Sequence, residues 1–112
     1  MRASRTIVVA GVLAAALAAW TGAGASTSQI EIRLFQFRPG RLDVARGTAV
    51  VWTNRDDIRH TVTSGVPDRR DGRFDVTLAG PGAIARVDFD RAGVHPYFCD
   101  RHPAMRGAIH VQ

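Results

Sequence analysis

A chain of 112 residues suits one domain, and 46% apolar with 22% charged residues is ordinary globular composition. The formal charge is +5, carried by 15 arginines and no lysine. These arginines are scattered among ten acids with no run longer than Arg69-Arg70, and no aromatic residues interleave with them as a base-stacking platform requires, which argues against a nucleic-acid partner.

Residues 1–25 read as an export signal. Arg2 and Arg5 form a positive start, Ile7 to Trp20 an apolar stretch, and Ala23-Gly24-Ala25 a small-x-small cleavage pattern before Ser26. Gly11, Thr21, Gly22 and Gly24 interrupt the apolar stretch, which is short of the roughly 20 residues a spanning helix needs. Cleavage by the general secretory route is therefore expected, because the two arginines are not adjacent. The mature domain is residues 26–112, periplasmic or secreted, with no stable membrane span. A single cysteine leaves it without an internal disulfide.

From Gln29 onward the pattern is strand after strand. Ile30, Ile32 and Leu34 alternate with Glu31 and Arg33, the period of a half-buried strand. Pro39-Gly40 breaks the chain, and Leu42 and Val44 resume the alternation before Arg46-Gly47 turns it. Thr48 to Thr53 is β-branched and aromatic, as a central strand is. Asn54 to Asp57 reads as a loop and His60 to Thr63 as a strand, while Ser64 to Arg73, with Gly65, Pro67 and Asp71-Gly72, reads as a surface loop. Phe74, Val76 and Leu78 share one face, and Ala83, Ala85, Val87 and Phe89 another. Val94 to Cys99 and Gly107 to Val111 complete eight strands. With no amphipathic helix after the leader, the expected fold is an all-β antiparallel sandwich.

The chemistry concentrates in Cys99-Asp100-Arg101-His102-Pro103-Ala104-Met105. This stretch holds the sole cysteine and, Met1 apart, the sole methionine, with His102 between them and His60 upstream. One thiolate, two imidazoles and a thioether suit copper, since Cu(I) favours sulfur while Cu(II) accepts nitrogen and a thiolate bond. A Cys-x-x-His pair also occurs in structural zinc sites, but these do not normally recruit methionine. Strand parity puts His95, Tyr97 and Cys99 on one face, so His95 is expected to be a buried, hydrogen-bonded core residue and not a further ligand. His110 is expected to face solvent.

One histidine on an earlier strand followed by Cys-x-x-His-x-x-Met after the penultimate strand resembles the cupredoxin family, with the short spacing of its amicyanin branch. Phe37-x-Pro39, Val44-x-x-Gly47, Asn54, His60-Thr61-Val62 and Gly93-x-x-x-Tyr97-x-Cys99 follow in that family's order. The resemblance covers roughly residues 30–112. It implies a Greek-key sandwich and one type 1 copper per chain, held by His60, Cys99, His102 and Met105. Asn54, the Thr61 N–H and Pro103 are the expected tuning groups around the ligands. Thr61 stands where asparagine is often seen in the family.

The function implied is single-electron transfer between periplasmic redox partners, such as a c-type cytochrome or a periplasmic dehydrogenase or oxidase, by a monomer without substrate turnover. The alternative is a module for copper trafficking, sequestration or resistance. Leftover His95 and His110 are too few for a trinuclear oxidase centre. In the family the loop histidine lies at an exposed apolar edge, here His102 with Pro103 and Ala104. Arg59, Arg101 and Arg106 adjoin the ligands as a candidate basic rim for an acidic partner.

Overall fold

A computed structural model describes residues 26–112; the expected leader lies outside them. Nine strands are found there: β1 (Thr27–Arg33), β2 (Gln36–Arg38), β3 (Arg41–Val44), β4 (Thr48–Asn54), β5 (His60–Val66), β6 (Arg69–Leu78), β7 (Ile84–Phe89), β8 (Gly93–Phe98) and β9 (Arg106–Val111). They form a four-stranded sheet in the order β2-β1-β4-β7 and a five-stranded sheet in the order β3-β9-β8-β5-β6. No helix among the described residues is long and apolar enough to cross a membrane.

The sandwich follows from the alternation in the sequence. Ile30 and Ile32 of β1, Val50 and Trp52 of β4, and Ala85 and Phe89 of β7 face Val62, Leu78, Tyr97 and Ile109 of the other sheet, and all are buried. Trp52 bridges the layers, its ring 5.2 Å from Tyr97 and 6.3 Å from Phe89. Aromatic side chains of this size carry the largest single burials in a core.

Three details depart from the sequence reading. The sheets are mixed, because β1 runs parallel to β4 and β3 parallel to β9. Hairpin-linked strands must be antiparallel, but these pairs are joined by connections that cross between sheets, which leave direction free. Second, Ser64 to Arg73 is not a loop. Gly65 pairs with Arg70 and Val66 with Arg69, with a register shift between Thr63 and Gly65. Gly65, at φ 101°, accommodates a bulge within a continued hairpin.

The third concerns Leu34, which is not a core residue. β1 ends at Arg33, and Leu34 and Phe35 turn with φ of 51° and 59°, both exposed. Left-handed backbone is uncommon for such side chains. It is held here because the Asp56 carboxylate accepts both N–H groups, at 2.7 Å from Leu34 and 3.0 Å from Phe35. The short β2 that follows brings the strand number to nine instead of eight.

Candidate metal centre

Two segments meet at one end of the sandwich: the start of β5, and the loop from Cys99 to Met105 that joins β8 to β9. A hairpin end suits a multi-dentate loop, because closing a short segment costs little chain entropy. Within it the Cys99 N–H donates to the Met105 carbonyl at 3.1 Å and the Met105 N–H to the His102 carbonyl at 2.8 Å. The loop is therefore tied internally before any metal is considered.

His60 and Cys99 are fully buried, and His102 is half-buried. The Cys99 Sγ lies 3.8 Å from Nδ1 of His60 and 3.8 Å from Nδ1 of His102. All three donor atoms lie within 4.8 Å of one another. An ion at ordinary metal–nitrogen and metal–sulfur distances of about 2.0–2.3 Å, with these donors in a trigonal plane, separates sulfur from nitrogen by about 3.8 Å. The donor set and its spacing thus fit a metal ion, and a thiolate with two imidazoles is a set that suits copper. Met105 is buried in the core, and its carbonyl accepts the Cys99 N–H.

The surroundings orient the candidate donors. His60 Nε2 is 2.8 Å from the Asp56 carboxylate, so the Nε2–H donates there and the Nδ1 lone pair is left facing the sulfur. Burial pushes the Asp56 carboxyl up, but the hydrogen bonds from Phe35, His60 and Leu34 outweigh it and hold the group below the usual carboxylate range. The Thr61 N–H points at Cys99 Sγ at 3.4 Å. Asn54 acts elsewhere: its amide donates to the Ile58 carbonyl at 2.8 Å and its oxygen accepts the Asp56 N–H at 2.9 Å. It shapes the β4–β5 loop and so places Asp56 and His60. Pro103 is exposed beside His102.

His95 is buried, with Arg73 donating to Nδ1 at 2.7 Å and its own Nε2–H donating to the Arg91 carbonyl at 2.8 Å. Both ring nitrogens are engaged away from the site, and His110 lies on β9, half-buried.

Two residues escaped the sequence reading. Asp56 lies in what looked like an ordinary polar loop, its one signal being a carboxylate four residues before a histidine. Phe35 follows the β1 alternation and carries no signal of its own in the sequence. Its ring stands edge-on to both imidazoles, with centroids 5.5 Å from His60 and 5.1 Å from His102, while half of the residue stays exposed. Nothing local announces that contact, since the left-handed turn that aims the ring depends on Asp56.

Comparison with known proteins agrees with this geometry. The family described as copper binding proteins of the plastocyanin/azurin family matches residues 25–112. Amicyanin-alpha of Methylorubrum extorquens is 29% identical over 105 residues, covering 92% of this chain and 87% of that one. Plastocyanin of Scenedesmus fuscus is 29% identical over 84 residues, covering 68% of this chain and 86% of that one. Among solved structures, a purple cupredoxin from Nitrosopumilus maritimus superposes with a TM-score of 0.71 at 26% identity, covering 76% of this chain and 99% of that one. An oxidised amicyanin variant does so at 0.64 and 25%, covering 80% and 83%. A sandwich of this build, with a thiolate and two imidazoles converging at one end, makes this chain a member of the plastocyanin/azurin family of copper-binding proteins, the cupredoxins, with copper as its cofactor.

Proposed function

We propose that this chain is an exported electron carrier that holds one copper through His60, Cys99, His102 and Met105 and passes single electrons between periplasmic redox proteins. The observation that carries the reading is the convergence of His60, Cys99 and His102 from separate segments onto one point. Bound copper supplies a one-electron couple between Cu(I) and Cu(II).

The chain's own residues do the rest. Asp56 fixes the His60 tautomer, the Thr61 N–H donates to the sulfur, and the buried strands keep both from reorganising when charge changes. Exclusion of water from His60 and Cys99, both fully buried, favours a low-reorganisation site. The same burial favours retention of copper over handover and so speaks against a trafficking module. His102, half-buried and edged by exposed Phe35, Pro103 and Ala104, is the proposed electron port.

Partners of the c-type cytochrome, dehydrogenase or oxidase kind fit a port of this sort. Arg59, Arg101 and Arg106 are exposed around it and form no ion pair with another described residue, leaving a basic rim for an acidic partner.

The test is the visible spectrum of the purified protein on adding Cu(II). An intense thiolate-to-copper charge-transfer band is expected in the wild type, and Cys99→Ser abolishes it. A colourless wild type sinks the proposal. Slow copper loss to a strong chelator, with a reversible one-electron couple, is the outcome that separates carrier from trafficking module.

A further inference from the structure

Beside the sulfur runs a hydrogen-bond chain whose direction is fully determined. The Asp100 N–H donates to Thr61 Oγ1 at 2.9 Å, Thr61 Oγ1 lies 2.9 Å from Thr63 Oγ1, and Thr63 Oγ1 donates to Asp75 Oδ1 at 2.9 Å. A hydroxyl has one proton. That of Thr63 goes to the carboxylate, so Thr61 must donate to Thr63, and its oxygen is free to accept from Asp100. Every proton in the series therefore points towards Asp75, and both hydroxyls are buried.

A cation closes the chain into a ring. Arg70 lies 3.6 Å from Asp75 Oδ2 and 3.8 Å from Asp100 Oδ2, with its guanidinium 5.8 Å from the centre of the Phe98 ring. The other Asp100 oxygen is buried without a partner, so Arg70 is the ion-pair partner of that carboxylate among the described residues. One circuit thus joins β5, β6 and the residue that follows Cys99. It is anchored by half-exposed Arg70 and Asp75 and a more buried Asp100, and it runs through buried hydroxyls.

Building on the copper reading above, we propose that Thr63, Asp75 and Arg70 are positioning residues for the copper thiolate. The Asp75 charge orients two hydroxyls in one direction, and the oriented Thr61 hydroxyl pins the peptide between Cys99 and Asp100. With β5 and the cysteine held in register, the Thr61 N–H stays on Sγ. A donor on a metal thiolate withdraws charge from the sulfur and favours the reduced metal. Loosening the ring weakens that bond, shifts the reduction potential downward and moves the charge-transfer band.

The experiment compares Thr63→Val, Thr63→Ser and Arg70→Gln with the wild type. It reads the potential and visible band of the copper-loaded chain and the hydrogen exchange of the Asp100 amide in the full chain without copper. Thr63→Val, which keeps shape and removes the hydroxyl, is expected to lower the potential, shift the band and speed Asp100 exchange about tenfold, the worth of one ordinary hydrogen bond. Thr63→Ser restores all three. Arg70→Gln, at the surface, gives a smaller shift in the same direction and serves if Thr63→Val does not fold.

Unchanged potential and band in both Thr63→Val and Arg70→Gln overturn the proposal, as does unchanged Asp100 exchange. A wild type that never colours with copper refutes the copper reading. The exchange measurement then still decides whether the ring pins Asp100.

Discussion

The Asp56 carboxylate performs two tasks with two oxygens. Oδ1 accepts the Leu34 N–H, and Oδ2 is shared by the Phe35 N–H and His60 Nε2. The same side chain sets the tautomer of the buried His60 imidazole and holds the left-handed turn that lays Phe35 across the imidazole edges. Partners of this kind typically raise metal affinity about 10–100-fold. Asp56→Ala is therefore expected to weaken copper binding by about that factor in a chelator competition, while Cys99 and His102 keep the visible band detectable. At this scale the convergence of His60, Cys99 and His102 was legible in the sequence because rare residue types stood at metal-binding spacings. Asp56 was not, since an aspartate in a polar loop is unremarkable until the fold brings β1 alongside. Thr61 was legible only through its backbone N–H; the use of its hydroxyl depends on Thr63, two residues along the same strand, and on Asp75, which arrives from the neighbouring β6.

Among the elements, the β8–β9 hairpin is the one whose packing supports the metal loop. Gly107 of β9 pairs with Tyr97 of β8, and a β-carbon at Gly107 would fall on the Tyr97 ring. The ring fills the space a side chain would take, which places Tyr97 against Trp52 and Phe37 in the core. Burial pushes the Tyr97 phenol far above its usual range, so it stays neutral at any working pH. Gly107→Ala overpacks this contact and is expected to cost about 1–3 kcal/mol in denaturant unfolding.

The β5–β6 hairpin is the element the sequence misled on. Gly65, Pro67 and Gly72 carry the composition of a loop, yet here glycine serves a bulge within paired strands. Asp71, within β6 beside the bulge, also titrates. Burial raises the Asp71 carboxyl, but the Ser64 hydroxyl beside it, the Arg73 N–H at 3.0 Å and the Arg73 charge outweigh that and hold it low. A carboxyl depressed on folding contributes stability that is complete above its unfolded value, about 4, and is lost as pH falls through the lower folded value. The hairpin is thus expected to lose stability in acid below about pH 4, read by amide exchange at Arg73. Asp71→Asn flattens that dependence.

The molecule as a whole is basic, and the charge is unevenly used. Arg33, Arg41, Arg55, Arg70 and Arg86 are paired with acids; Arg59, Arg101 and Arg106, adjacent in sequence to the candidate donors, are among the described arginines that are not. Exposed pairs of the first kind add little stability, but an uncompensated rim acts at a distance on whatever approaches. Electron transfer to an acidic partner is expected to slow as salt is added and the Debye length shrinks from about 10 Å at 0.1 M to about 3 Å at 1 M. A rate independent of salt in stopped-flow measurements would remove the steering role. The rim was expected from the places of Arg59, Arg101 and Arg106 in the sequence, beside His60, His102 and Met105, whereas the net charge says nothing about which arginines find partners.

The direction of two strands has a practical corollary. β1 runs towards the copper pole and β9 away from it, so residues 26 and 112 both leave the sandwich at the far pole, roughly 20 Å off by the rise of six or seven strand residues. A linker grafted after residue 112 would leave the imidazole edge facing outwards, so the protein can be wired to an electrode through a tail without hiding its own contact.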